Sequence, residues 1–185
     1  ISIIINKKIN KSNVTFRELY EYNSIKLNIV VTNINGLKTE IFNYENTPDR
    51  DIAEATYISS CFPFYFIPHK EITHNENSEE SIKLYIDGAI TNHFPIDLYN
   101  DQIETTLGFI IYNDRDDIGT VDNVLSFAYS ILLCMSEQLT QYKLKNYRQN
   151  SVILKTDIST LDFKISYDTK LELIKLGYDT TIEYL

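Results

Sequence analysis

The chain has no tryptophan, five glycines, four prolines, three histidines, two cysteines and, in Met135, a single methionine. Two cysteines cannot build a disulfide scaffold. Cys61 and Cys134 are therefore expected to be free, buried thiols of a reducing compartment. Basic residues are outnumbered, 17 Lys and Arg against 26 Asp and Glu, for a net charge of −9. Such a chain lacks the basic face that phosphate backbones require, so nucleic acid is not an expected partner. The same deficit gives no help in adsorbing to anionic lipid. No run of ~18 apolar residues occurs, so no transmembrane segment is expected, and a cytoplasmic or membrane-peripheral location fits best. Histidines and cysteines are scattered and the acids dispersed, so neither a metal site nor another cofactor is expected. The acidic string Asn113 to Asp117 lacks the glycine and closing glutamate of a calcium loop and reads as a solvated loop. The first residue is Ile1 rather than methionine, from which we expect a fragment or a processed chain.

What is present is enough for a core. Apolar residues make up 43% of 185 positions, which places the chain among globular proteins. Thr15-x-x-Glu18 has the form of a capping box and predicts a helix over about 15–23. Lys26 to Thr32 and Leu37 to Asn43 read as strands joined at Asn33-Ile34-Asn35-Gly36, a hairpin. Thr47 as cap with Pro48 in the first turn predicts a second helix running to about Ser59. The polar stretch 74–81 predicts an exposed loop. Further strands are expected at 83–86, 106–112 and 152–155. The longest helix is expected from Val121 to about Arg148, with Val124, Phe127, Ala128, Ile131, Leu132, Met135, Leu139 and Tyr142 on its core face. A closing helix carries Leu171, Ile174, Tyr178 and Ile182. Strands alternating with helices, one hairpin among them, predict α/β layers around a mixed sheet.

The stretch Leu84-Tyr85-Ile86-Asp87-Gly88-Ala89 ends a short apolar strand on a carboxylate followed by two small residues. An Asp before Gly can be a simple turn former, because its short side chain hydrogen-bonds the local backbone. The surroundings point further. Asp87-Gly88-Ala89-x-x-Asn92-x-x-Pro95 follows Thr47-Pro48-Asp49, Ser59-Ser60-Cys61-Phe62-Pro63 and Pro68. Near the C-terminus comes Phe163-x-Ile165-Ser166-x-Asp168-x-Lys170 and then Ile174-x-x-Gly177-Tyr178. This ordered set, spanning most of residues 15–185, resembles the patatin-like phospholipases.

That resemblance implies a three-layer α/β/α domain with a mixed central sheet, comprising residues 1–185 as a single domain incomplete at its N-terminal side. It implies a lipid acyl hydrolase that cleaves carboxylic esters of phospholipid at a membrane surface through a Ser–Asp dyad, without metal. Asp87 takes the place of the general base, in an Asp87, Gly88, Ala89 motif supported by Asn92 and Pro95. The partner serine of the family stands in Gly-x-Ser-x-Gly, which is absent from these residues; it is expected upstream of Ile1. The chain alone is then expected to be inactive, and poorly soluble through unpaired edges at Leu27–Val31 or Leu107–Tyr112. The competing reading is a catalytically inactive lipase-like module that binds lipid or a protein partner.

Other residues are less specific. His69, His74 and His93 stand in no recognisable Ser-His-Asp context. Ser59 and Ser60 lack flanking glycines and are expected to allow close packing at a helix end. Phe62-Pro-Phe-Tyr-Phe-Ile-Pro68 is a dense aromatic run. It reads first as a core wall, and otherwise as an acyl groove or a lipid-interface segment.

Overall fold

A computed structural model describes residues 7–8, 11, 13–74, 80–113, 120–158, 162 and 164–185. Asp114 to Asp117 and most of the polar stretch 74–81 lie outside them. Contacts divide the chain into two compact units, Ile1–His93 and Phe94–Leu185.

The first unit opens with helix α1 (Phe16–Asn23). Its capping box is formed as expected: Thr15 Oγ1 accepts the Glu18 N–H at 3.3 Å, and Glu18 Oε2 accepts the Thr15 N–H at 3.1 Å. The expected hairpin is β1 (Ile29–Asn33) and β2 (Lys38–Phe42), antiparallel with Val31 opposite Glu40. Helix α2 spans Ile52–Ser59, not the range that Thr47 and Pro48 suggested. Asp51 is its cap, accepting the Glu54 N–H at 2.9 Å. Thr47 is already committed, its hydroxyl oxygen accepting the Asn43 N–H at 3.1 Å within a turn. A preceding turn that uses the threonine leaves the aspartate, an equally good cap, to start the helix.

Strands β3 (His69–His74) and β4 (Glu80–Asp87) complete a four-stranded antiparallel sheet in the order β2-β1-β4-β3. Strand β1, expected as an open edge at Leu27–Val31, is instead central, paired to β2 and β4. Its burial follows: Val31, Thr32 and Asn33 are all enclosed. One face of the sheet packs on the two helices, where Val14, Phe16, Val31, Phe42, Ile52, Ala55, Ile58 and Tyr85 form the core. Each large side chain there contributes roughly 1.5–3 kcal/mol by leaving water. After β4 comes a single helical turn, α3 (Ala89–Asn92).

The second unit begins with 3-10 turns over Pro95–Thr105, then β5 (Gly108–Asn113), helix α4 (Val124–Tyr147), β6 (Ser151–Thr156) and helix α5 (Tyr167–Tyr184). Strands β5 and β6 pair in parallel as a two-stranded sheet of their own, so the expected single mixed sheet is instead an antiparallel sheet and a separate parallel pair. Its core joins Phe94, Ile96, Ile110 and Leu144. Gly108 is required there, since a Cβ would fall 2.5 Å from the Phe94 ring. The α4 stripe expected to be core is largely exposed: Val124, Phe127, Ile131, Met135, Leu139 and Tyr142 face outward, while Thr140 and Leu144 are buried. A 24-residue helix is roughly 36 Å long. Six-residue strands are only about 20 Å long. Phe109 and Ile111 of β5, expected to be buried, are also exposed. Among the described residues no helix is long and apolar enough to cross a membrane.

A half-buried polar cluster ties β1, β2 and β4 together. Glu40 accepts hydrogen bonds from Asn33 Nδ2 and the Tyr85 hydroxyl, both at 2.8 Å, with Lys38 at 3.1 Å and Lys83 at 3.6 Å. Burial pushes the Glu40 carboxyl up, but the bonds from Asn33, Tyr85 and Lys38 outweigh it and hold the group at about 2. A carboxyl lowered in the folded state stabilises the fold above its ordinary value of 4.5 and loses that contribution as pH falls towards 2. Glu40→Gln should therefore be less stable than the parent at neutral pH. The difference should shrink steadily between pH 4.5 and 2 when urea midpoints are compared.

Candidate active site

Asp87 is the last residue of β4, opposite Val31 of β1. Three backbone contacts fix it. Its N–H donates to the Cys61 carbonyl at 3.0 Å, just past the end of α2. Its own carbonyl accepts the Thr32 hydroxyl at 2.8 Å. Its Oδ1 accepts the Ala89 N–H at 2.8 Å, which closes the turn that begins α3. The turn-forming role open to an Asp-Gly pair is thus filled, and the second carboxylate oxygen is free of that turn.

Gly88 cannot be replaced without movement. A Cβ at this position would lie 2.1 Å from the Val30 carbonyl oxygen. The strand end, the close of α2 and β1 converge there: the Gly88 N–H reaches the Ser59 carbonyl at 3.4 Å, and the Ser59 hydroxyl donates to Val30 O at 2.8 Å. Asn92 belongs to the same turn, its N–H donating to Gly88 O at 2.9 Å. Asp87, Gly88, Ala89 and Asn92 are therefore brought together in the first unit, whereas Pro95 opens the 3-10 segment of the second.

Burial raises the Asp87 carboxyl above its ordinary value, opposed in part by the Ala89 N–H and by the nearby His93. A carboxylate whose basicity is raised by exclusion from water is suited to accept a proton from an alcohol. Burial also pushes the Cys61 thiol up, and its Sγ–H is directed at Tyr57 O at 3.3 Å, so it is not a nucleophile. Cys134, expected to be buried, is exposed on α4.

The hydroxyls of Ser59 and Ser60 are both engaged with the backbone. Ser60 Oγ donates to Thr56 O at 2.8 Å, as Ser59 does to Val30. His69 lies on β3 between Glu54 and Glu71, at 4.0 and 3.8 Å. A cleft of about 380 Å³ lined by Thr47, Pro48, Asp49, Arg50, Glu54 and Glu71 does not include Asp87. Arg50 there pairs with Glu71 and lies 4.1 Å over the Phe42 ring, staples between α2, β3 and β2. Among the described residues no three His, Cys, Asp or Glu side chains are grouped to hold a metal.

A chain of hydroxyls behind the acid has no signature in the sequence. Thr39 donates to Thr91 Oγ1 at 2.9 Å, and Thr91 lies 2.9 Å from Thr32 Oγ1. Because Thr32 spends its proton on Asp87 O, Thr91 is the donor of that middle bond. Sequence separations of 52 and 59 residues hide this arrangement from any local pattern.

With this geometry in place, the kinship of the chain is informative. The family model for patatin-like phospholipase matches residues 4–99, just over half of the chain. The chain belongs to the patatin-like phospholipase family. An uncharacterized protein of Acanthamoeba polyphaga mimivirus is 32% identical over 96% of this chain and 59% of its own length. A "probable lipid hydrolase" of Invertebrate iridescent virus 6 is 38% identical over 50% of this chain and 28% of its own. VipD from Legionella pneumophila shares the fold, with a TM-score of 0.59 at 19% identity over 94% of this chain and 35% of that one. The chain thus spans less than two thirds of each. In this patatin-like chain the family match covers the whole first unit beyond its first three residues, Asp87 included.

Two measurements test the site's mechanics. Gly88→Ala should destabilise the fold by about 3 kcal/mol or more, the upper range for overpacking against rigid backbone, in urea unfolding. Asp87→Asn keeps the acceptor for Ala89 but removes a poorly solvated charge. A carboxyl raised on folding weakens the fold as pH rises past its ordinary value of 3.8. The variant should therefore match the parent's melting temperature below pH 3.8 and exceed it at pH 7.

Proposed function

We propose that the intact polypeptide is a lipid acyl hydrolase, cleaving carboxylic esters of phospholipid or neutral lipid by a Ser–Asp dyad. The observation that carries this reading is Asp87, a half-buried carboxylate of raised basicity clamped at a strand end within a patatin-like match. The nucleophilic serine, in Gly-x-Ser-x-Gly, is supplied by polypeptide upstream of Ile1. Relatives that extend well beyond the matched region leave room for it.

A serine hydroxyl attacks an ester carbonyl only if a base takes its proton as the bond forms. Asp87 is that base: its Oδ1 is held by the Ala89 N–H, leaving Oδ2 to receive the serine proton. Oxygen–carbon bond formation gives a tetrahedral intermediate, which collapses as the protonated Asp87 returns its proton to the departing alcohol. Water, deprotonated in turn by Asp87, then releases the fatty acid from the acyl-serine. Poor solvation favours both halves of the cycle, because it brings the carboxyl closer to the pH at which it must exchange protons. Gly88 and Ala89 keep the floor beside the carboxylate small.

In the intact polypeptide, Asp87→Asn should lower kcat by ~10²–10⁴-fold, the usual contribution of a general base, while the fold is retained. Residues 1–185 alone should not hydrolyse a short-chain chromogenic ester, with Asp87→Ala as control. Turnover that disappears in that control would place the nucleophile within this chain and overturn the assignment of an upstream serine.

A further inference from the structure

By composition, the segment linking α2 to β3, Phe62–Pro68, reads first as a core wall. The structure turns it outward: Phe64, Tyr65, Phe66 and Ile67 are 49, 57, 46 and 84% exposed. Its backbone is nevertheless braced. Phe62 N donates to Ser60 O at 2.9 Å, and Phe62 O accepts from Tyr65 N at 3.3 Å and Phe66 N at 3.1 Å. The Phe62 and Tyr65 rings meet edge-on at 6.2 Å. Phe64 sits at φ 71°, a left-handed conformation that a bulky side chain rarely adopts. A tight turn bounded by Pro63 and Pro68 thus holds four apolar or aromatic side chains in water.

Its position ties it to the acid. At one end, Cys61 O accepts the Asp87 N–H. At the other, His69 pairs with Tyr85, so the antiparallel register puts Ile67 and Pro68 at the same sheet end as Asp87 and Gly88. Both feet of the loop stand at the end of the sheet that carries Asp87. From Cys61 to Pro68 the segment carries no formal charge at neutral pH. Phenylalanine, tyrosine and isoleucine in a rigid, uncharged turn suit the boundary between headgroups and acyl chains, where aromatic rings are favoured.

We propose that Phe62–Pro68 is the loop that seats the Asp87 end of the protein on a zwitterionic phospholipid bilayer, with Phe64, Tyr65, Phe66 and Ile67 entering the headgroup region. The proposal rests on the reading of the protein as a lipid hydrolase, whose substrate must leave a bilayer close to the acid. A net charge of −9 removes long-range attraction to anionic lipid, so insertion of apolar side chains is the driving force. A braced turn loses little further conformational freedom when it enters the interface.

The absence of tryptophan makes a direct test available. Phe66→Trp in the full chain introduces a single reporter. Its emission should shift to the blue with phosphatidylcholine vesicles and be quenched by lipids brominated high on the acyl chain. Tyr22→Trp, at an exposed site on α1, should show neither effect. Replacing Phe64, Tyr65 and Phe66 together by serine should weaken vesicle co-sedimentation about tenfold or more, with circular dichroism unchanged. Phosphatidylserine in the vesicles should not tighten binding. No shift for Phe66→Trp, an equal shift for Tyr22→Trp, a requirement for anionic lipid, or an emission already blue before lipid is added would each overturn the loop's role. Asp87→Asn should bind vesicles as the parent does. Vesicle binding without hydrolysis by the intact polypeptide would strike the hydrolase reading alone, and hydrolysis without vesicle binding would strike the loop alone.

Discussion

The first unit depends on one close approach, the passage of Gly88 beneath the Val30 carbonyl. With 2.1 Å between that oxygen and the place a Cβ would occupy, the end of β4 can press directly on the backbone of β1. Only because of that contact can α2 close over both strands. Ser59 then caps the same carbonyl with its hydroxyl while its own carbonyl accepts from Gly88. Asp87 inherits its position from this junction, and its poor solvation from the helix end and sheet that meet there. The raised basicity of the acid is thus a by-product of packing.

Features governed by neighbours in sequence were legible in the chain. The Thr15–Glu18 capping box and the hairpin across Asn33–Gly36 both formed, because cap and turn chemistry act within three or four residues. The acid at the strand end was legible for the same reason. Strand β3 was not, since Lys70, Glu71, Thr73 and His74 dilute its apolar character; it exists through six consecutive pairings with β4. Thr47 lost its expected capping role because Asn43 had claimed it. The threonine chain behind Asp87 was invisible, as its members meet only after the sheet and α3 have formed.

The two units differ in how well the polypeptide covers itself. In the first, a four-stranded sheet and two short helices are commensurate, and the apolar positions enter one core. In the second, two strands serve two long helices, and apolar side chains on α4, α5 and β5 remain in contact with water. Amphipathic periodicity identified the helices correctly, but it carries no information about how much neighbouring surface exists to receive the apolar face. The aromatic run after α2 shows the same gap in reverse. Its composition suggested an interior, and a braced turn at a strained φ presents it to solvent.

The hydroxyl groups around the Asp87 backbone have a mechanical consequence. Thr39, Thr91 and Thr32 pass their protons in one direction, ending on the Asp87 carbonyl, and Ser59 and Ser60 give theirs to Val30 and Thr56. Each of these alcohols has its proton committed to an acceptor fixed by the fold. The hydroxyls of this junction are thereby spent as pins of the backbone, Thr32 on the end of β4, Ser59 on β1 and Ser60 on α2.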